Sequence, residues 1–180
     1  MREHYLIEKK LASRLLNSSR DERKWLYTSL YDELFRRVPD HPQLVTAEDP
    51  EYQKSLVDLQ MELLSKFVEQ GIIFLEAGCG DCGLSFEVCP RVAKVYGVDV
   101  SNEVTDRHVL PDNFELIISE GIEIDLPSES VDFAYSNQLI EHIHPDDVKD
   151  HLVEINRVLV PGGRYLIVTP HRFTAPHDIS

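Results

Sequence analysis

Basic residues and long apolar runs are both scarce in this chain of 180 residues. Lys and Arg number 18 against 32 Asp and Glu, which gives a formal net charge of −14. Because phosphate backbones are bound chiefly by Lys and Arg, this balance disfavours a nucleic-acid partner. No apolar run approaches the roughly 20 residues that cross a bilayer, and the N-terminus lacks the apolar block of a secretory signal. We therefore expect a cytoplasmic protein with no membrane span.

Cysteine is rare as well, since the chain has only Cys79, Cys82 and Cys89. An odd count in a chain without an export signal favours reduced thiols over a disulfide framework. Cys79 and Cys82 form a C-x-x-C pair, for which a metal site, a redox pair and a plain tight turn are the alternatives. No fourth ligand stands at the spacing that structural zinc needs. We predict no metal site and interpret the pair as small residues that fill a turn.

The first seventy residues show helical spacing of apolar side chains. Ser19 and Glu22 are placed as a capping box at the start of a second helix. Trp25, at helical spacing in that segment, is predicted to lie in the core. A third helix is predicted over about 50–70, with Gly71 as its C-terminal stop.

Beyond residue 70 the chain alternates short apolar runs with helical segments. The runs have the composition of buried parallel strands and read IIFLEA, KVYGVDV, FELIIS, VDFAYS and GRYLIVTP. Helices are predicted between them over about 84–89, 101–110 and 144–159. This alternation indicates an α/β fold with a three-layer parallel sheet. We divide the chain into an N-terminal helical extension, residues 1–70, and an α/β unit, residues 71–180.

Glycines cluster where the first predicted strand should pass into a helix, in the stretch FLEAGCGDCG. Gly78 and Gly80 lie where ligands bind in such sheets, and bare backbone lets a ligand lie against the main chain. Asp99 ends the second strand, 19 residues beyond Gly80, where a carboxylate holds the two hydroxyls of a ribose. Glu76 stands where a pyrophosphate would be repelled and the amino group of a methionyl moiety would be bound. These residues predict an adenosine-containing ligand.

Four segments follow one another in the order LEAGCG, GVDVS, LPSESVDFAYS and VLVPGG. With them, residues 72–170 resemble the class I S-adenosylmethionine-dependent methyltransferases, in the group with a Leu-Pro motif before strand four. The resemblance implies a Rossmann-like sheet with strand order 3-2-1-4-5, S-adenosylmethionine as cofactor, and an N-terminal helical extension that folds over the cofactor as a lid. It is not specific for a substrate, and we expect a small-molecule acceptor because the acidic balance disfavours RNA and DNA. A catalytically silent protein that keeps the cofactor fold is the second hypothesis. An NAD-dependent oxidoreductase is the third.

The resemblance also implies a set of cofactor-binding residues, namely Glu76, Ala77, Gly78, Cys79, Gly80, Asp99, Val100, Glu120, Gly121 and Asn137. Glu76 and the glycines would border the methionine half of the cofactor. Asp99 would hold the ribose, and Val100 would pack on the adenine. Asn137, after strand four, would lie near the sulfonium and the acceptor.

Two of the implied site residues, the one that contacts the adenine edge and the catalytic one, have alternatives. Glu120 and the backbone of Gly121 would read the adenine edge, while Ile122 is the other register for this contact. His142 is the candidate catalytic residue, because a histidine can remove a proton from an acceptor near neutral pH. The alternative is that His142 hydrogen-bonds a nearby loop and shapes the pocket.

The sequence departs from the family pattern in two places. Gly83 comes one position later than the commonest spacing, so that Cys82 occupies the usual glycine position. Family members continue past strand five with a helix and two strands, whereas this sequence stops at Ser180. Strand five would then be an uncovered apolar edge, which proteins avoid. We expect either a shortened chain or a second copy, in a homodimer, that covers this edge.

Overall fold

The computed structural model describes residues 2–41, 49–100, 110–119 and 122–170. Its helices are α1 (Arg2–Leu16), α2 (Arg20–Arg37), α3 (Pro50–Leu64), α4 (Gly83–Val88) and α5 (Pro145–Val158). Its strands are β1 (Ile73–Ala77), β2 (Lys94–Asp99), β3 (Phe114–Ile118), β4 (Val131–Asn137) and β5 (Leu159–Val168), and short 3₁₀ turns cover Cys89–Arg91 and Ile140–His142. Among the helices in these ranges, none is long and apolar enough to cross a membrane. The helix predicted over 101–110 lies outside the described residues, apart from its last position.

The five strands form one parallel sheet in the order β3-β2-β1-β4-β5. The predicted α/β fold and its strand order are therefore confirmed. β1 is central and pairs with β2 on one side and with β4 on the other. As a result Ala77, Asp99 and Asn137, the last residues of β1, β2 and β4, meet at the carboxyl edge of the sheet.

The two faces of the sheet bury two separate apolar cores. One core joins the sheet to α3 and α4 through Leu64, Phe74, Leu84, Val88, Val95, Phe114, Phe133 and Tyr135. The other joins it to α5 through Leu75, Ala77, Val98, Ile117, Val131, Ala134, Ile155 and Val158. Helices thus cover both faces, which is why the strands are apolar on successive residues instead of alternating with polar ones.

A third core lies between α1 and α2 and consists of Ile7, Leu11, Leu26, Leu30, Leu34 and Val38. The predicted capping box is confirmed, since Glu22 Oε2 accepts the Ser19 N–H at 2.7 Å and Ser19 Oγ accepts the Glu22 N–H. The prediction for Trp25 is wrong, because its side chain is 56% exposed. The buried face of α2 is centred on Leu26 and Leu30, and Trp25 lies about 100° around the helix from Leu26.

Helix α3 ends at Leu64, six residues before the predicted end. The N–H groups of Phe67 and Val68 both return to the Leu64 carbonyl in a turn. The Phe67 ring then stacks on Phe133 of β4, with centroids 5.0 Å apart. Tertiary packing of this ring therefore takes the chain out of the helix before Gly71, which adopts φ +96° in the turn that leads to β1.

Strand β5 begins at Leu159 and contains the Pro-Gly-Gly segment, whereas the predicted strand GRYLIVTP begins at the second of these glycines, Gly163. Val131 pairs with Leu159 and Phe133 pairs with Arg164, so the segment forms a bulge within the strand. Gly162 has φ +87°, and an added Cβ on Gly163 would lie 2.9 Å from the Val160 carbonyl oxygen. The chain needs glycine here, so that β5 can begin directly at the end of α5. In the described part of the chain, β5 and β3 are the edge strands.

Candidate cofactor site

The loop after β1 is tied to the end of β2 by its own backbone. The N–H groups of Gly78 and Cys79 both donate to the Val98 carbonyl oxygen, at 2.8 and 3.2 Å. Gly78 has φ +73°, and an added Cβ would lie 3.0 Å from a methyl carbon of Leu139. Both the dihedral angle and this close approach require glycine. The loop therefore lies directly under the segment that follows β4.

Gly80 and Asp99 are in direct contact. Asp99 Oδ2 accepts the Gly80 N–H at 2.9 Å, and Oδ1 accepts the Val100 N–H at 2.8 Å. An added Cβ on Gly80 would meet no atom of the described residues within 4 Å, so the loop borders open space on that side. The carboxylate that braces the loop thus lies at the end of β2, where the sequence predicts the ribose.

Glu76 lies one residue inside the edge and is only 5% exposed. Its Oε2 accepts a hydrogen bond of 2.6 Å from Ser85 Oγ in α4. Burial raises the pKa of the Glu76 carboxyl to about 8, and the nearby charges of Asp81 and Asp99 act in the same direction. In this structure the carboxyl holds its proton at neutral pH, a property that the residue type alone does not reveal.

The cysteines of the loop are buried and form no disulfide. The Sγ atoms of Cys79 and Cys82 lie 3.5 Å apart, and the Cys82 N–H donates to the Cys79 carbonyl oxygen at 2.8 Å. The hydrogen bond with Cys82, together with burial, raises the pKa of the Cys79 thiol. Cys82 has φ 58° at the position that glycine usually occupies. Among the described residues, no group of three or more His, Cys, Asp or Glu is arranged to hold a metal ion.

The segment after β4 crosses the carboxyl edge of the sheet above the glycine loop. Asn137 pairs with Val168 of β5, and Gln138, with φ 51°, donates its N–H to the Val168 carbonyl oxygen. His142 is half-buried in the 3₁₀ turn that follows, and its N–H donates to the Leu139 carbonyl oxygen. The structure thus brings Asn137 and His142 to the same edge as the glycine loop.

A cleft of about 950 Å³ lies beside the end of β3 and opens against α2. Ile118, Ser119 and Ile122 line one side. Glu120 and Gly121, the residues predicted to read the adenine edge, lie outside the described residues. Arg20, Lys24 and Tyr27 of α2 line the opposite side, and Leu126 and Arg157 are among the other lining residues. No spacing in the sequence signals Arg20 and Lys24, because they reach the sheet only through tertiary packing.

Most of the predicted cofactor residues share one edge. Gly78, Cys79, Gly80, Asp99, Val100 and Asn137 lie at or beside the carboxyl ends of β1, β2 and β4. A parallel sheet with a glycine loop after its first strand and a carboxylate at the end of its second defines the Rossmann-like proteins that bind nucleoside cofactors.

The family profile described as "Methyltransferase domain" matches residues 75–167, which is more than half of the chain. The chain therefore belongs to this family, as a class I S-adenosylmethionine-dependent methyltransferase domain. The resemblance inferred from the motifs is confirmed, and so is S-adenosylmethionine as the cofactor of this class.

Relatives and solved structures agree with this assignment. A protein of Mycolicibacterium smegmatis named "Probable S-adenosylmethionine-dependent methyltransferase" is 40% identical over 103 residues, which cover 56% of this chain and 38% of the relative. The chain thus matches well under half of that relative's length. A S-adenosylmethionine-dependent methyltransferase from Aquifex aeolicus has a TM-score of 0.54 and 26% identity, over 71% of this chain and 78% of that one.

A more distant likeness extends further along the chain. Phosphoethanolamine N-methyltransferase 1 from Haemonchus contortus, solved with phosphoethanolamine and S-adenosylhomocysteine, has a TM-score of 0.66 and 15% identity. The match covers 83% of this chain and 33% of that protein. At this identity the likeness shows the fold alone.

Proposed function

We propose that this chain binds S-adenosylmethionine across the carboxyl edge of the sheet and transfers its methyl group to a small-molecule acceptor. The observation that carries the proposal is the contact between Asp99 and Gly80, which places a carboxylate against a loop of bare backbone beside open space. Family membership supports the same cofactor and the same reaction class.

The residues at this edge fit the parts of the cofactor. Asp99 would accept hydrogen bonds from the ribose, and exposed Val100 would pack on the adenine. The glycine loop and Glu76 would border the methionine half, while Asn137 would lie near the sulfonium. Glu120 and Gly121 would complete the adenine contact in the part of the chain that the structure leaves undescribed.

The bound cofactor supplies a methyl group that the sulfonium already activates. The protein's task is therefore to hold the acceptor in line with the methyl–sulfur bond, near attack distance. The acceptor atom would bond to the methyl carbon, and the electron pair of the broken carbon–sulfur bond would stay on sulfur. His142, at the same edge, would take up the proton that an N–H or O–H acceptor releases.

One observation supports a small molecule as the acceptor. The net charge of −14 disfavours a polyanionic partner such as RNA or DNA. The α2 residues that line the cleft beside the end of β3 support the proposal that residues 1–70 form a lid over the α/β unit.

Titration calorimetry with S-adenosylhomocysteine tests the cofactor site. Asp99→Ala should weaken binding about 5- to 150-fold, corresponding to about 1–3 kcal/mol, because it removes hydrogen bonds to a charged acceptor. Asp58→Ala is the matched control, since Asp58 is exposed and pairs with exposed Lys54 on α3, and the change should leave the affinity unchanged. Equal affinities for all three proteins would show that the ribose assignment is wrong.

The same measurement separates the other hypotheses. Binding of NAD instead of S-adenosylhomocysteine would favour the oxidoreductase, because the protonated carboxyl of buried Glu76 would not repel a pyrophosphate at this loop. Transfer of tritiated methyl from S-adenosylmethionine into components of a cell extract distinguishes an active enzyme from a silent cofactor-binding protein.

A further inference from the structure

Glu141 has a buried carboxylate oxygen that accepts no hydrogen bond from the described residues. Within the described residues, Glu141 Oε1 is the one buried side-chain nitrogen or oxygen without a hydrogen-bond partner. The other oxygen, Oε2, accepts a hydrogen bond of 3.0 Å from Thr169 Oγ1. An unpaired buried acceptor costs about 1–3 kcal/mol, and more when it is charged. Folding gains nothing from this arrangement, which therefore calls for a functional explanation.

The position of Glu141 indicates what its partner is. The residue lies in the 3₁₀ turn that begins three residues after the end of β4, and Thr169 directly follows β5. Asn137 and Val168 are paired neighbours at the ends of these strands. The Glu141–Thr169 bond thus spans the β4–β5 side of the carboxyl edge. Asp99, proposed to hold the ribose, lies on the opposite side of β1, at the end of β2.

The bound cofactor would extend from Asp99 across the glycine loop towards Asn137. Leu139, which packs against Gly78, lies between Asn137 and Glu141 in the chain. Glu141 therefore lies beyond the methyl-bearing end of the proposed cofactor path. In a methyl transfer, that end of the site receives the acceptor.

We propose that Glu141 Oε1 accepts a hydrogen bond from the N–H or O–H group of the acceptor that is methylated, so that the substrates are amines or alcohols. This inference rests on the proposed function. A carboxylate accepts hydrogen bonds and donates none, so its partner must bring a polar hydrogen. Carbon and thioether nucleophiles bring none and would leave the oxygen unpaired. A neutral amine or a hydroxyl group, which keeps the lone pair that attacks the methyl carbon, forms a charge-assisted bond with it, and Thr169 holds the carboxylate in position.

The test uses S-adenosylmethionine with a CD₃ methyl group, incubated with the protein and a small-molecule extract of cells. Mass spectrometry should find the label on nitrogen or oxygen. Glu141→Gln should lower the labelling rate at least tenfold, while its affinity for S-adenosylhomocysteine stays within twofold of wild type. Glu62→Gln, on the exposed side of α3, is the matched control and should change neither quantity.

A second readout does not depend on the acceptor. Because Oε1 is unpaired, replacing the carboxylate by an amide should leave the melting temperature equal or raise it. A lower melting temperature in Glu141→Gln would assign the residue a structural role and overturn the proposal.

Several other results of these experiments would overturn the proposed role of Glu141. Label on carbon or sulfur, an unchanged rate in Glu141→Gln, or loss of S-adenosylhomocysteine binding in that variant would each overturn the inference. A rate that requires added Mg²⁺ and disappears with a chelator would also overturn it, since the partner of Oε1 would then be a cation. If wild type binds S-adenosylhomocysteine but labels nothing, the proposed function itself fails.

Discussion

Burial determines the charge of Glu76 at the cofactor loop. The folded protein raises the pKa of this carboxyl to about 8, from an ordinary value of 4.5, because the group is buried. Between these two pH values the folded state holds a proton that the unfolded state has released. The contribution of Glu76 to stability is therefore complete below pH 4.5 and is lost as the pH rises through 8.

Glu76→Gln removes this titration. We expect the free energy of unfolding of wild type to fall, relative to that of the variant, by on the order of 4 kcal/mol between pH 4.5 and 8. Urea unfolding at several pH values measures the difference. Glu62→Gln, which changes an exposed carboxylate, should follow the wild-type curve. Parallel curves for wild type and Glu76→Gln would contradict the assigned pKa.

The sequence could predict which residues form this site, but it could not predict how deeply they are buried or what they contact. Asp99 and the glycines could be assigned because their spacing along the chain matches the geometry of a strand-loop-helix unit. The burial of Glu76 against Ser85 and the unpaired oxygen of Glu141 could not be predicted, because both depend on which side chains pack around them. Packing of this kind is set by the whole fold and leaves no local pattern.

A buried polar chain connects three elements of the α/β unit. Tyr165 of β5 donates its hydroxyl hydrogen to Ser136 Oγ of β4 at 2.8 Å, and His151 Nε2 of α5 lies 3.0 Å from the same hydroxyl oxygen. Ser136 and His151 are buried, and burial lowers the pKa of His151. His151 is therefore neutral in the folded protein at neutral pH. As the pH falls below 6.5, the unfolded chain takes up a proton at this residue before the folded protein does, so that the free energy of unfolding decreases.

Tyr165→Phe should break this chain while keeping the ring. We expect a loss of about 1–3 kcal/mol in the free energy of unfolding, because buried polar groups of Ser136 and His151 lose their partner. Tyr52→Phe, on the exposed face of α3, removes a hydroxyl without this consequence and should change stability little. Chemical denaturation of the two variants measures the difference. Equal stabilities would show that water satisfies these groups.

Element boundaries could be predicted where local chemistry determines them. The capping box of Ser19 and Glu22 begins α2 as predicted, because its hydrogen bonds join residues three apart. The end of α3 and the bulge in β5 differ from the prediction. Phe67 leaves the helix to stack on Phe133, and the Pro-Gly-Gly segment continues in the strand because β4 lies beside it.

The whole molecule combines the α1–α2 pair, which has its own apolar core, with the α/β unit. A buried ion pair joins them, in which Arg23 Nε and Nη2 donate to the two oxygens of Asp147 at 2.5 and 2.7 Å. Tyr27 contributes a second bond, since its hydroxyl oxygen accepts the His144 N–H at 2.9 Å. Arg23 and Asp147 are 124 residues apart, so no pattern in the sequence could predict their contact.

Removing one member of this ion pair tests whether it fixes α2 on the α/β unit. Arg23 and Asp147 are 5% and 3% exposed, and the hydrogen bonds from Arg23 lower the pKa of Asp147. Arg23→Met should cost about 3–5 kcal/mol in the free energy of unfolding, because it leaves a buried carboxylate without its partner. The double variant Arg23→Met, Asp147→Leu should recover most of this loss, since neither charge is then buried alone.

Arg14→Met is the control for the ion pair, because Arg14 pairs with Glu33 at the surface and such pairs contribute about 0–1 kcal/mol. Arg23 also lines the cleft against the end of β3, so a displaced α2 would open one wall of the proposed site. We therefore expect Arg23→Met to weaken S-adenosylhomocysteine binding and the double variant to restore part of it. If the affinity of Arg23→Met equals that of wild type while its stability falls, α2 is attached to the α/β unit through Arg23 without acting as a lid on the cofactor.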